Sequence, residues 1–192
     1  MFLSGEKSPL KIFLDMIYIS FIVSILFIIS LYYSAKNNKI SWIYGFVGNT
    51  LLAIILFQDC LYTSFLFRIY SIITCIIGFF MWNNKKSKII KGNMIFPIIN
   101  SILLGGLIYY FNKTISNNAI IDSIGTSLCI IATYLLMKRD INNWKFWIIS
   151  DSLYIYMGIL MIDIKYIIMY VSMLILSIYG LINFKKEYDK KS

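Results

Sequence analysis

Histidine is absent from this chain of 192 residues, and charged residues make up only 14% of it. The lack of imidazole argues against catalysis in which histidine serves as base, metal ligand or proton shuttle. A soluble domain is usually about half apolar and about one quarter charged, whereas hydrophobic residues reach 59% here. The composition therefore excludes both an ordinary globular protein and a disordered chain.

Cysteine is also scarce. The three cysteines, Cys60, Cys75 and Cys129, stand apart, and the sequence contains no CxxC pair. Neither a zinc site nor a disulfide framework is therefore predicted, and small apolar residues in a membrane core are the simpler interpretation. We predict no metal, no other cofactor and no catalytic residue.

Long hydrophobic runs are what the chain does contain. Runs of this length without period-two alternation favour transmembrane helices over barrel strands, because backbone polar groups in hydrocarbon must be paired internally. At about 20 residues per crossing, seven crossings leave roughly 50 residues for all loops and both tails, which excludes a separate soluble domain. The predicted helices cover residues 12–33, 42–57, 60–82, 94–111, 119–137, 144–161 and 165–184, with tight turns at Gln58-Asp59 and Asp163.

The positive charges are distributed unevenly between the predicted breaks. If every helix crosses the membrane, 13 of the 18 basic residues fall on one side, four fall on the side of the amino terminus, and Arg68 lies within a helix. The positive-inside rule then places the amino terminus outside and the carboxyl terminus in the cytoplasm. Such clusters are typical of cytoplasmic loops in a lipid bilayer rather than of a nucleic-acid surface, so no nucleic-acid partner is predicted.

A shift of 102 residues brings landmarks of the two halves into register. Aligned pairs are Tyr32 with Tyr134, Lys36 with Lys138, Trp42 with Trp144, Asn49 with Asp151, Gly78 with Gly180, and Trp82 with Phe184. Repeat one then covers about 12–82 and repeat two about 119–184, and the single helix at 94–111 between them restores a parallel orientation. Transporters with parallel repeats hold substrate between the repeats near the midplane. Accidental register in a seven-helix bundle is the alternative.

One face of the sixth predicted helix carries the leading candidates for a substrate site. Trp144, Trp147 and Asp151 follow the spacing i, i+3, i+7 and therefore share that face. An aromatic face attracts a flat cation by about 0.5–2 kcal/mol, and a carboxylate within a membrane is a functional candidate by default. The alternative for Trp144 is an interfacial anchor.

Other polar residues within the helices are further candidates. Asn49, the repeat counterpart of Asp151, is a possible second polar contact, with a helix–helix hydrogen bond as its alternative. Arg68 has three open roles: it snorkels outward, pairs with Asp151 or Asp122, or faces an anionic group of the substrate. Weaker candidates are Tyr70, Asn100, Thr126, Ser127 and Tyr154.

The motifs around these residues resemble the PnuC family of bacterial nicotinamide riboside transporters. The resemblance runs from about residue 30 to 186 and rests mainly on segments 42–49 (WIYGFVGN), 69–82 and 142–151 (NNWKFWIISD). The chain departs from the family pattern in three places. Arg68 stands where an uncharged residue, usually Gln, precedes Ile-Tyr; residues 161–166 (MIDIKY) replace Lys-Gly-Leu-Tyr; and the Glu before the WxxW motif is absent.

The resemblance implies a 3+1+3 helix fold similar to the SWEET sugar transporters, in agreement with the helix count. It also implies facilitated uptake of a small vitamin-like substrate, nicotinamide riboside, across a bacterial inner membrane as a step towards NAD. A separate cytoplasmic kinase would trap the cargo by phosphorylation, and the transporter would be a homotrimer. Thiamine or another vitamin is the alternative cargo, and a non-transporting membrane subunit is a further alternative. A membrane enzyme is disfavoured because the acidic residues are scattered.

Overall fold

The protein is helical throughout the residues that its structure, a computed structural model, describes, namely 9–58, 62–83, 88–114 and 118–190. In these ranges the only β-type pairing is an isolated bridge between Ile90 and Asp140. The helices are α1 (Pro9–Ala35), α2 (Ile40–Gln58), α3 (Tyr62–Asn83), α4 (Ile95–Asn112), α5 (Ala119–Met137), α6 (Asn143–Leu160) and α7 (Ile164–Asp189).

The outer surface of the helices is apolar, which reverses the pattern of a soluble bundle. Phe80 is 69% exposed, and Ile102 and Leu103 are each 68% exposed. By length and composition α4, α5 and α7 are each able to cross a membrane, and shorter apolar helical stretches occur in α1, α2 and α3. The prediction of an all-α integral membrane protein with seven helices is confirmed.

Helix α6 is not among the three apolar spans, because its 18 residues include several polar ones. Asn143, Ser150 and Asp151 are nevertheless at most 1% exposed. They are buried between α5 on one side and α7 on the other, the two helices against which α6 packs. These three polar groups of α6 are therefore directed into the protein and away from lipid.

The observed helix ends differ from the predicted ones mainly at the two termini of the chain. Helix α1 begins at Pro9 and α7 continues to Asp189, because charged residues end an apolar run without ending a helix. The predicted turn at Asp163 is present, and the Asp163 carboxylate caps α7 by accepting a 3.1 Å hydrogen bond from the Tyr166 amide. Predicted features outside the described residues involve Lys7, Asp59, Cys60, Lys85, Lys86 and Lys191.

Helix contacts divide the described chain into two groups of three with one helix between them. In the first group α2 packs against α1 and α3, and in the second α6 packs against α5 and α7. Helix α4 packs on α5 with its buried residues Pro97, Ser101 and Gly105, which recur every four positions. The two groups meet along two seams, α1 against α7 and α3 against α5.

An indole ring packed directly on a glycine holds the first group together. The Trp42 ring of α2 lies so close to Gly78 of α3 that a Cβ there would come within 2.5 Å of it. Trp82, one turn further along α3, meets the same ring edge to face at a centroid distance of 5.4 Å. Glycine is therefore required at position 78 for this approach of α2 to α3.

The second group repeats this arrangement 102 residues later. The ring of Trp144 on α6 lies over Gly180 of α7, where a Cβ would come within 2.6 Å. Phe184 then meets Trp144 edge to face at 5.3 Å. Both Trp144 and Phe184 are fully buried, so α6 and α7 are fixed to each other as α2 and α3 are.

The turns before α2 and α6 also correspond, and each reaches across to the other group. Asn37 and Arg139 both have left-handed backbones, with φ of 53° and 57°. Asn37 donates from Nδ2 to the Glu187 carboxylate of α7 at 3.0 Å, and Arg139 donates from Nη2 to the Trp82 carbonyl of α3 at 3.1 Å. In each turn the preceding lysine lies 4.4 Å from a tyrosine ring, Lys36 over Tyr32 and Lys138 over Tyr134.

The α3–α5 seam carries further hydrogen bonds at this basic end of the protein. The Trp82 indole N–H donates to the Met137 carbonyl at 3.1 Å. The segment before α4 is bonded to the α5–α6 turn through its main chain, because the Ile90 amide donates to Arg139 and the Ile141 amide donates to Ile90. The turn before α6 is thus bonded both to α3 and to the segment that precedes α4.

Replacing Gly180 by alanine should lower the thermal unfolding midpoint of the purified protein by several degrees. The added Cβ would overlap the Trp144 ring, and overpacking of this kind costs about 1–3 kcal/mol. Gly106→Ala is the matched control, since a Cβ at Gly106 meets no heavy atom within 4 Å, and its midpoint should be unchanged or raised. Equal midpoints for the two variants would contradict the proposed packing role of Gly180.

Candidate functional site

Asp151 is a carboxylate buried between two membrane helices. It lies on α6 with 1% of its surface exposed, and it accepts a 2.9 Å hydrogen bond from the Ser177 hydroxyl of α7. Within the described part of the chain no cationic side chain forms an ion pair with it. A buried carboxylate with one neutral partner is costly to keep charged, so a cationic ligand at this position would gain a strong attraction.

Asn49 occupies the corresponding position in the first group. It is 7% exposed on α2, and its Nδ2 donates to the Gly45 carbonyl at 2.8 Å. It also lies beside the Cys75 thiol of α3. Cys75 precedes Ser177 by the same 102 residues that separate Asn49 from Asp151. Each group therefore presents one polar side chain from its middle helix against a small polar residue of its last helix.

Arg68 lies beside Asn49. Its Nη1 donates to the Asn49 side-chain oxygen at 3.3 Å, while its buried Nε has no hydrogen-bond partner among the described residues. The guanidinium carbon is 5.0 Å from the ring centroid of Phe67 and 5.8 Å from that of Phe27. Of the three roles left open by the sequence, pairing with Asp151 or Asp122 is not observed in the described residues.

Three tyrosines form a stack where α6 meets α7. Tyr154 is 7% exposed, and its ring stacks on Tyr170 at a centroid distance of 4.7 Å with an interplanar angle of 28°. The ring centroid of Tyr166 lies 4.6 Å from that of Tyr170. The stack rests on α5, because a Cβ on Gly125 would come within 2.8 Å of the Tyr154 ring. All three tyrosines interact electrostatically with Arg68, which places the stack next to the first group.

Thr126 links this stack to the acidic start of α5. Its hydroxyl lies 3.0 Å from the Tyr154 hydroxyl and also bonds to the Asp122 carboxylate. Asp122 in turn accepts a 3.0 Å hydrogen bond from Asn112 at the end of α4. The predicted candidates Thr126 and Tyr154 are therefore direct neighbours.

Cys129 lies at the meeting point of these groups. Its thiol is 3.0 Å from the Ser150 hydroxyl, which donates to the Gly125 carbonyl. The charged side chains near this thiol include Asp151 and Arg68. We call Arg68, Asp151, Tyr154 and Tyr170, which lie near Cys129, together with Asn49, which is bonded to Arg68, the central polar group.

The two predicted tryptophans have different surroundings. Trp144 is wholly buried in the contact with Gly180 and Phe184, so its ring packs helices together. Trp147 is only partly buried and lies between the two apolar clusters of the core. Its buried indole N–H has no acceptor among the described residues, as is also true of the packed indoles of Trp42 and Trp144, and a buried donor without a partner requires an explanation. A ligand acceptor would supply one.

Tyr70 and Asn100 lie in a different part of the fold. The Tyr70 hydroxyl donates to the Ile130 carbonyl at 3.3 Å across the α3–α5 seam. Together with Pro97 and Asn100 of α4, Tyr70 lines a groove of about 310 Å³ between α3, α4 and α5. Ser127, another weak candidate, is buried beneath Gly105.

Several residues of this region carry no clear signal in the sequence. Ser177, Ser150, Cys129, Tyr166 and Tyr170 all lie in apolar runs. The 102-residue shift provides one signal, since it aligns Cys75 with Ser177. Among the described residues no group of three or more Cys, Asp or Glu side chains could hold a metal ion.

Comparison with known proteins identifies the family and the fold. The model of the family described as Nicotinamide mononucleotide transporter matches residues 17–186. The chain is also similar to a solved structure described as the crystal structure of the Vitamin B3 transporter PnuC, with a TM-score of 0.75 and 18% sequence identity. That similarity covers 91% of this chain and 83% of the other chain. No curated protein sequence matches the chain.

The resemblance to the PnuC family is thereby confirmed. The family match spans most of the chain and all seven described helices from residue 17 onward. The solved structure shares the fold, and both comparisons concern transporters rather than enzymes. The chain belongs to the nicotinamide mononucleotide transporter family and is a multi-pass membrane transporter.

Proposed function

We propose that this protein mediates facilitated uptake of nicotinamide riboside across a bacterial inner membrane. Phosphorylation by a separate cytoplasmic kinase would then trap the cargo as a step towards NAD. The observation that carries the proposal is that a buried carboxylate and a buried indole N–H without an acceptor lie on one face of α6. Asp151 is 1% exposed, and Trp147 one turn earlier has a buried N–H without an acceptor.

The chemistry of the cargo fits these two groups. Nicotinamide riboside carries a flat pyridinium cation, a carboxamide and a polar ribose. A pyridinium ring is attracted both to a carboxylate and to an aromatic face, and the carboxamide oxygen or a ribose hydroxyl could accept the Trp147 N–H. Asn49 and Tyr154 would contribute further hydrogen bonds from opposite sides of the central polar group.

The internal correspondence supports a transport mechanism. We take residues 12–82 and 119–184 as parallel repeats joined by the helix at 94–111, in the SWEET-like plan. Contacts that recur at a spacing of 102 residues, such as Trp42 on Gly78 and Trp144 on Gly180, favour this division. Parallel repeats that can move relative to each other expose a central site to each side in turn.

Membrane orientation and assembly complete the proposal. The basic residues are concentrated on the side of the turns at 36–39 and 138–143, which we assign to the cytoplasm under the positive-inside rule. The amino terminus is then outside and the carboxyl terminus inside. Family resemblance supports a homotrimer, whose contacts would use the apolar helix surfaces.

Thiamine is the second candidate cargo. It also contains a flat aromatic cation, so Asp151 and Trp147 would recognise it by the same two contacts. Arg68, where the family pattern has an uncharged residue, is the feature that leaves the choice of vitamin open.

Reconstitution into liposomes tests the transport function directly. Labelled nicotinamide riboside should equilibrate across the membrane with saturable kinetics and without an ion gradient. Trp147→Ala should weaken binding by about tenfold or more, because both the ring face and the N–H are lost. Phe80→Ala is the control, since Phe80 is 69% exposed on the outer surface and should keep wild-type affinity. Absence of saturable flux with this cargo and with thiamine would refute the proposal.

Charge removal at Asp151 tests its role separately. Asp151→Asn keeps an acceptor for the Ser177 hydroxyl, so the thermal unfolding midpoint should change little. Affinity for a cationic vitamin should fall by at least about tenfold, because the counter-charge is lost in a low-dielectric site. Ser177→Ala leaves the carboxylate in place and should have the smaller effect on affinity. The opposite order of effects would assign Asp151 to packing alone.

The proposed orientation predicts the accessibility of two positions. In a variant without the three native cysteines, a cysteine at position 162 should react with a membrane-impermeant maleimide in intact cells. Ile162 is 86% exposed in the α6–α7 turn. A cysteine at position 190, just beyond α7, should react only after the cells are opened. Labelling of position 190 in intact cells would reverse the orientation.

A further inference from the structure

Arg68 introduces a positive charge that the described protein does not neutralise. Its Nη1 donates to a neutral amide oxygen, that of Asn49, at 3.3 Å. Its Nε is buried without a hydrogen-bond partner, and no described carboxylate forms an ion pair with it. An arginine inside a membrane protein is costly and usually faces a cavity, a counter-charge or a ligand. Since no counter-charge is bonded to Arg68 among the described residues, a cavity or a ligand remains for it.

Aromatic contacts only partly compensate this charge. The guanidinium carbon is 5.0 Å from the Phe67 centroid and 5.8 Å from the Phe27 centroid. Such contacts stabilise a cation weakly in comparison with a carboxylate or phosphate partner. Neither ring is a conventional hydrogen-bond acceptor, and the buried Nε of Arg68 still has no hydrogen-bond partner among the described residues.

The nearby carboxylates are held by other groups. Asp151 accepts a hydrogen bond from Ser177 at 2.9 Å. Asp122 accepts one from Asn112 at 3.0 Å and is also bonded to Thr126. Arg68 and Asp151 nevertheless both lie in the neighbourhood of Cys129. Opposite charges therefore lie near one another without forming a direct pair.

The 102-residue repeat shows which group of helices contributes each charge. The counterpart of Arg68, 102 residues later, is Tyr170, and the counterpart of Asp151 is Asn49. At these two pairs of equivalent positions, the first group presents only the positive side chain and the second group only the negative one. A ligand with one positive and one negative group would match both sides, whereas a simple cation would match only Asp151.

We propose that Arg68 binds an anionic group of the ligand, so that the site holds a pyridinium riboside with a carboxylate or phosphate more tightly than it holds nicotinamide riboside. This inference rests on the proposed function, which assigns the cationic ring to Asp151 and Trp147. It makes Arg68 the residue that sets specificity among pyridinium ribosides. Guanidinium groups bind carboxylate and phosphate through paired N–H donors. Either anion would supply an acceptor for the unpartnered Nε of Arg68.

Three ligands that share the pyridinium riboside test the proposal by equilibrium binding to the full-length protein in lipid nanodiscs. Nicotinamide riboside has no anionic group, nicotinic acid riboside has a ring carboxylate, and nicotinamide mononucleotide has a phosphate on the ribose. One of the two zwitterionic ligands should bind at least about tenfold more tightly than nicotinamide riboside. The better of the two identifies which anion Arg68 accepts.

Variants of Arg68 provide the second arm. Arg68→Gln should abolish the preference for the zwitterion and leave nicotinamide riboside binding equal or tighter, while Arg68→Lys should keep part of the preference. Lys145→Gln removes one positive charge whose ammonium contacts the Met94 sulfur, and it should preserve the wild-type order. The unfolding midpoint of each variant establishes that it is folded.

Two results would overturn the inference, and they can be told apart. If the wild type prefers nicotinamide riboside, or if folded Arg68→Gln keeps the wild-type order of ligands, the anion site is wrong but the proposed function stands. If none of the three ligands binds to the folded wild type, the proposed function fails and the inference fails with it. Should Arg68→Gln not fold, the ligand order of the wild type and of Arg68→Lys decides the question.

Discussion

Direct contact between an indole ring and a glycine, made once in each half, is the packing constraint on which the structure depends. Trp42 over Gly78 joins α2 to α3, and Trp144 over Gly180 joins α6 to α7. Because glycine has no side chain, the helices approach closely at these points. Two turns further along α6 lies Asp151, seven residues after its tryptophan, and it is carried into the helix interface instead of facing lipid. The glycine contacts therefore position the polar site as well as stabilising the fold.

The number and order of helices were predictable because hydrocarbon imposes a length and an apolar composition on every span. Details outside the hydrocarbon were not predictable in this way. Helix α7 extends to Asp189 through charged residues that hydropathy places outside the span. The main-chain bonds of Ile90 to the α5–α6 turn depend on tertiary contacts that leave no local pattern. A left-handed backbone is common for Asn37 but is not suggested by an arginine at position 139.

The polar site was predictable only where a residue type is rare in its setting. Asp151 is conspicuous because a carboxylate within an apolar run is costly. Ser177 and Tyr170 are not, since hydroxyl residues are tolerated in membrane helices, where serine and threonine commonly bond their own backbone; Ser172 does so here. Helical spacing placed Trp144 beside Asp151 but could not show that its ring would be fully buried by packing. Distinguishing a packed indole from one that faces a ligand requires knowledge of the neighbouring helix.

The two seams between the halves differ in strength at the basic end of the protein. At the α3–α5 seam, Trp82 donates to the Met137 carbonyl, and Arg139 donates to the Trp82 carbonyl. The α1–α7 seam is held there by the side-chain hydrogen bond from Asn37 to Glu187. If the halves move as units, separation along α1–α7 breaks fewer hydrogen bonds at this end than separation along α3–α5. At this end of the protein the hydrogen bonds therefore hold α3 to α5 more firmly than they hold α1 to α7.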